Sequence, residues 1–278
     1  MKIFTMVKGE CDVVEDWVLY HGSIFGYTNL YVIDNYSKDG TYQILLKLKQ
    51  QFNIHLVALP DYKKKGEYMT MLLKNFGKGD VVFPIDIDEF IVYYNNKTNT
   101  ISCDKNEIIQ YIKRLKPLPF YKMNYIIAKI GNPIGYDRAT VDAIYGKYAD
   151  YKGHAKTFFY ASLFKGIIDH GNHYMSDNYV MSNLCLVHFH QRNLDQIKKK
   201  VYNNVKGLGH NPFNVELLKQ WIQKNPSGMG FHHIDKQIQI LENRFQLDIE
   251  LPNKSDISLS PLNQYVRSLT NIPSLLTK

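Results

Sequence analysis

The chain has 278 residues, 45% of them hydrophobic and 22% charged, a balance that excludes a disordered or fibrous chain and supports a core of ordinary size. The formal net charge of +8 favours an acidic partner such as a phosphate-bearing ligand, but the lysines are scattered, and YKKKGE (62–67) and IKKKV (197–201) read as solvated faces, so no nucleic acid is expected. Cys11, Cys103 and Cys185 lie far apart without a CxxC pair, and no stretch has the length of a signal peptide or membrane span, so a soluble, cytoplasmic protein is expected.

The elements alternate from the start. KIFTMV (2–7) predicts a strand and CDVVEDWVLYHGSIFG (11–26) a helix, with Asp12 as N-cap and Glu15 at capping-box spacing. NLYVIDN (29–35) is a strand, SKDGT (37–41) a turn, YQILLKLKQQF (42–52) a helix and NIHLVAL (53–59) a strand. EYMTMLLKNFG (67–77) returns to helical spacing, and DVVFPIDID (80–88) is the fourth strand. KNEIIQYIKRL (105–115) is helical and KPLP (116–119) breaks it, while residues 120–192 form short strand-like runs. Helices follow over 193–205, with Leu194, Ile197, Val201 and Val205 on one face, then over 214–224 and 233–246; from Leu251 the tail wraps the surface or frays. Strand–helix alternation of this kind predicts an α/β fold whose parallel strands are joined by right-handed crossovers, followed by C-terminal helices.

Ligands of such sheets gather outside the carboxyl ends of the strands. The unusual polar residues fall there: Lys8 and Glu10 after the first strand, Asp34, Asn35, Ser37 and Asp39 after the second, Asp86 and Asp88 at the fourth. On a strand Asp86 and Asp88 project to one face, where two carboxylates repel unless a proton or a cation joins them. A divalent metal with hard oxygen ligands, Mg²⁺ or Mn²⁺, would do so; acids solvated beyond the strand end, or paired with lysines, are the plainer alternative.

Four segments in order resemble one family. KGE (8–10), EDWVLYH (15–21), DNYSKDGT (34–41) and DIDEF (86–90) look like the opening of the glycosyltransferase 2-like and family 92-like proteins, in which strands end in K-N-E-like, D-N-x-S-x-D-G-T and D-x-D-E-F motifs. Gly9 departs from the asparagine common there. The resemblance covers about the first ninety residues and implies a GT-A fold with a Rossmann-like nucleotide-binding sheet. It divides the chain into a nucleotide-sugar-binding half (1–100), an acceptor-side half (101–192) and a helical C-terminal extension (193–278). It further implies a UDP-linked donor, a glycan or other hydroxyl acceptor and inverting transfer. Lys8, Glu10 and Asp34 would line base and ribose, Ser37 and Asp39 would shape the turn, Asp86 would face ribose or metal, and Asp88 would hold the metal, with Glu89 turned to the other face to accept from backbone.

The second half matches in pieces. LCLVHFHQRN (184–193) resembles the family's later strand ending in histidine, which makes His188, or alternatively His190, a third metal ligand; a histidine hydrogen-bonded within the sheet is the competing reading. HAKTFFYASLFKGIIDHGNH (154–173) resembles a K…G-x-H region, with Lys156 as a phosphate contact. Inversion needs a base for the acceptor hydroxyl, and Asp169, His173 and Asp177 share one polar segment. Tyr136, Tyr145 and Tyr174 could stack on sugar rings, although among 21 tyrosines packing is the default. A metal-dependent phosphohydrolase or nucleotidyltransferase, and a non-catalytic nucleotide-sugar-binding protein, are the rival classes.

Overall fold

A computed structural model describes residues 1–228 and 230–270. The strands are β1 (Lys2–Val7), β2 (Leu30–Asp34), β3 (His55–Ala58), β4 (Val81–Pro84), β5 (Glu89–Asn95), β6 (Thr100–Ser102), β7 (Phe120–Ala128), β8 (Tyr145–Ala149), β9 (Lys156–Tyr160), β10 (Met181–His188) and β11 (Ile257–Ser258). The helices are α1 (Val14–Phe25), α2 (Thr41–Phe52), α3 (Lys65–Phe76), α4 (Lys105–Arg114), α5 (Ala139–Asp142), α6 (Leu194–Gly207), α7 (Val215–Lys224), α8 (Phe231–Leu241) and α9 (Ser260–Thr270). The strands form one mixed sheet in the order β3-β2-β1-β4-β9-β7-β10-β5-β6, with β8 on β7 and β11 on β8. Helices flank it and a C-terminal helical cluster follows, an arrangement consistent with a Rossmann-like GT-A architecture.

The alternation of β1 makes the layers visible. Ile3 and Val7 join the core shared with Trp17, Val18 and Phe90, whereas Phe4 and Met6 face Met69, Leu72 and Leu73 of α3 on the other side. The cluster α6–α8 has its own core of Ile197, Val201, Leu218, Ile234 and Ile238. Cys11, Cys103 and Cys185 are unpaired thiols, and no helix among the described residues is long and apolar enough to cross a membrane.

Strand direction decides where the site forms. β2 and β4 both run parallel to β1. β9 is antiparallel to β4 and to β7, so β7 runs with β4 again, and β10 is parallel to β7. The C-terminal ends of β1, β2, β4 and β10 therefore share one edge. The antiparallel strands β5 and β9 begin at that edge, with Glu89 and Lys156 as their first residues.

Three local expectations are corrected. The fourth strand ends at Pro84 rather than Asp88, and residues 85–88 turn into β5, with the Glu89 N–H donating to Asp86 O at 3.1 Å. Helix α1 begins at Val14 with no side-chain cap, because Asp12 faces Arg192 Nε at 2.6 Å instead. The tail builds β11 and α9, burying Leu259, Leu262 and Val266 in the main core, where an apolar stripe gains more than it would on the surface. Residues 271–278 of that tail lie outside the described residues.

Candidate active site

The shared edge opens into a pocket of about 300 Å³ lined from β1, the β4–β5 turn, β9, β10, α3, α6 and α8. Its acids are held by protein cations. Asp86 accepts from Lys65 at one oxygen and from Lys156 at the other, 2.8 Å away. Lys156, itself buried, also donates to Gly171 O at 2.9 Å and faces Glu89 Oε1 at 3.1 Å. Burial opposes charge on Asp86, but Lys156 and then Lys65 outweigh it and hold the carboxyl far below its ordinary range. Burial alone would likewise lower the Lys156 pKa, yet Asp86 and Glu89 raise it well above the ordinary value. Glu89 accepts the Asp86 N–H at 2.8 Å, the backbone bond expected of it, but it lines the same pocket rather than the other face. Burial pushes its pKa up against the pull of Lys156.

Asp88 is buried and accepts from Lys200, with His188 Nε2 at 3.5 Å and an Arg192 terminal nitrogen at 3.8 Å. Burial works against its charge as well; Lys200, and after it His188 and Arg192, depress the pKa well below 3.8. The two aspartates are thus not left facing each other, since each turns to its own cations. Arg192 donates to Glu10 and faces Asp12, tying the end of β1 to the end of β10.

A metal-capable group is present among these residues: ligand atoms of Asp88, His188 and His190 all lie within 4.8 Å of one another. One carboxylate and two imidazoles suit a divalent ion of borderline softness. His190 is kept neutral, with burial first and Lys200 second lowering its pKa, which leaves its ring lone pair available to an ion. Asp86 is not part of this group. At β1 and β2, Lys8 donates to Asn35 Oδ1 at 3.0 Å, the Gly9 N–H to Ser37 Oγ at 2.9 Å and the Ser37 N–H to Asp34 Oδ2 at 3.0 Å. Asp34 Oδ1 is buried without a hydrogen-bond partner, an acceptor of the kind a bound hydroxyl would satisfy. Asp39 accepts from Thr41 and Lys199, shaping the turn into α2.

The three base candidates separate. Asp169 accepts the N–H groups of His173 and Tyr174 at 2.9 and 2.8 Å, which fixes that loop. Asp177 is exposed and does not line the pocket. His173 lines it, and burial, then Lys156, push its pKa down to about 4. Tyr174 packs among Phe120, Phe159 and Phe164.

No family model and no curated protein matches the chain. Among solved structures it is similar to residues 1–349 of S. aureus TarS, with 13% identity and a TM-score of 0.38 over 88% of this chain and 71% of that one. The same segment of TarS in complex with UDP-GlcNAc gives 12% identity and a TM-score of 0.37 over 88% and 72%. Against TarS without that truncation, the chain spans 43% of the partner's length at a TM-score of 0.37. At this distance the likeness assigns no activity.

Several residues of the pocket went unread in the sequence: Lys65, His170, Lys200, His232 and His233, with Arg192 beside them. Lys65 and Lys200 sit in the two lysine runs that read as solvated faces, and one lysine of each run turns inward to an acid. Helical spacing held the signal for Lys200, which lies three residues after the buried Ile197 and next to the buried Val201 of α6. Lys65 owes its place to Gly66, where a Cβ would lie 2.6 Å from Ile168 O; the bare Cα lets the 168–170 backbone cross the first turn of α3.

Proposed function

We propose that the protein is a metal-dependent glycosyltransferase that moves a sugar from a UDP-linked donor to an acceptor hydroxyl with inversion. The observation that carries this reading is the meeting, in one pocket at the C-terminal edge of parallel strands, of the Asp88–His188–His190 group with the ammonium groups of Lys65, Lys156 and Lys200. In transfer, the bond from the anomeric carbon to the diphosphate breaks as the bond to the acceptor oxygen forms, and the acceptor proton passes to a base. Asp88, His188 and His190 would hold a divalent ion such as Mn²⁺, which would supply positive charge to the departing diphosphate. Lys200, between Asp88 and Glu10, adds a second positive charge that can move from the acids to a phosphate. Lys65 and Lys156 keep Asp86 ionised as an acceptor for donor hydroxyls, and the open acceptor on Asp34 serves the nucleoside. His173 is the base we favour of the three candidates, because its neutral ring borders the pocket.

Calorimetry with UDP and GDP, with and without Mn²⁺, tests the donor half of the reading; saturable UDP binding that EDTA removes is expected. Failure of every common nucleoside diphosphate to bind at millimolar concentration would refute it. Phosphorus NMR of a UDP-sugar incubation separates the rival classes: UDP is the product of glycosyl transfer, UMP that of cleavage within the diphosphate, and a pure binding protein leaves the donor intact.

A further inference from the structure

A second cavity, of about 290 Å³, lies beside the first, and His190 lines both. Its floor is the paired edge of β7 and β8, where Ile127 is in register with Lys147 and Ile126 with Tyr148. Its opposite wall is the segment 248–250, and that wall is built in. The Glu250 N–H donates to Ile130 O at 3.1 Å, and the Asp248 N–H reaches Gln191 Oε1 at 3.4 Å. Lys129 Nζ ties Glu250 and Asp256 together at 3.1 and 2.8 Å. Tyr151 also lines the cavity and is 47% exposed. Its ring stands edge-on to Tyr125 with centroids 5.2 Å apart, and Tyr125 in turn lies 5.6 Å from the His188 ring. A line of aromatic rings thus leads from this cavity to the metal-capable group.

The two cavities differ in how much charge they carry. The first sets Lys8, Lys65, Lys156 and Lys200 against Glu10, Asp86, Asp88 and Glu89, cations that can turn from those acids to a phosphate. The second sets Lys129 and Lys147 against Asp248 and Glu250, and Lys129 is already neutralised by its own acids. Balanced charge, an exposed aromatic ring and carboxylate and amide groups on a fixed wall are what a neutral polyhydroxylated molecule needs: ring surface for its C–H faces, and oxygens to accept its hydroxyl protons.

We infer that this second cavity seats the acceptor, and that the acceptor is an uncharged carbohydrate held by Tyr151, Gln191 and Asp248. The inference rests on the glycosyltransferase reading for the word acceptor, but not for the carbohydrate site itself. Saturation-transfer NMR with lactose, maltose and diacetylchitobiose at millimolar concentration tests it, with UDP and Mn²⁺ binding measured separately by calorimetry. At least one disaccharide is expected to bind, Tyr151→Ala and Asp248→Asn each to weaken it by about tenfold or more, and Tyr151→Phe to retain it. UDP affinity stays unchanged in all three variants, which also shows that they fold. Absence of disaccharide binding in the native chain, or its survival in both Tyr151→Ala and Asp248→Asn, overturns the inference. If UDP binds and no disaccharide does, the carbohydrate site alone is refuted. If a disaccharide binds through Tyr151 while UDP does not, the carbohydrate site stands and the donor reading fails.

Discussion

Asp88→Asn should destabilise the protein, although two neighbouring aspartates on a strand would lead one to expect relief of repulsion. The carboxylate is 2% exposed and is surrounded by Lys200, by His188 at 3.5 Å and by Arg192 at 3.8 Å. Removing one partner of a fully buried ion pair costs about 3–5 kcal/mol. Two features soften that cost here: Arg192 keeps Glu10 and Asp12, and the Lys200 side chain is 21% exposed with Glu10 at 4.0 Å as an alternative. We expect a loss of about 2 kcal/mol, or roughly 4–8 °C in Tm for a chain of this size. The folded pKa of Asp88 lies below its ordinary 3.8, so its contribution is complete above that value and disappears as pH falls through the folded one. The gap between native and variant should therefore be flat around neutrality and close in acid. Thermal unfolding followed across pH reads this, and calorimetry on the same samples should show Mn²⁺ affinity reduced by about tenfold or more, since the amide keeps an oxygen but not the charge. A variant that melts at or above the native temperature near pH 7 would mean that repulsion with Asp86, not pairing with Lys200 and Arg192, dominates at this position.

His188→Ala and His190→Ala should each weaken Mn²⁺-dependent UDP binding by about tenfold, on the order of 1.4 kcal/mol; loss of thermal stability with Mn²⁺ affinity intact would assign that ring to packing alone. Lys200→Met should strengthen Mn²⁺ binding in the absence of nucleotide, because the ligand oxygen of Asp88 is released, while weakening UDP binding in the same calorimeter; a fall in both would contradict the placement. His21 is fully buried, accepts the Ile91 N–H at 3.3 Å and has its pKa pushed by burial down to about 3. The unfolded chain therefore takes up this proton first, so stability drops as pH falls below 6.5, by up to about 1.4 kcal/mol per pH unit; urea unfolding of His21→Gln should show a shallower decline, and equal slopes would count against it. Leu262→Ala in α9 should cost about 2–5 kcal/mol in urea unfolding if the tail is part of the core, and well under that if it merely lies on the surface.

Local chemistry alone determined the alternation of strands and helices through residue 115 and the parallel sheet that follows from it, because apolar periodicity and turn residues are properties of neighbouring positions. It also marked the strand ends where Lys8, Glu10, Asp34, Asp86 and Asp88 cluster, since an ionised side chain beside an apolar run is visible without knowing its partner. What it could not supply was direction and order. β5 and β9 run against the parallel strands, and only this reversal brings Glu89 and Lys156, the first residues of those strands, to the edge where β10 ends in His188. Nor could it say which cation meets which acid. Lys65 and Lys200 each stand in a run of three lysines, and Arg192 lies 182 positions from Glu10. Choosing among like residues over such separations is a matter of which side chain the assembled core leaves pointing inward, and that is decided by tertiary packing rather than by any local preference of the chain.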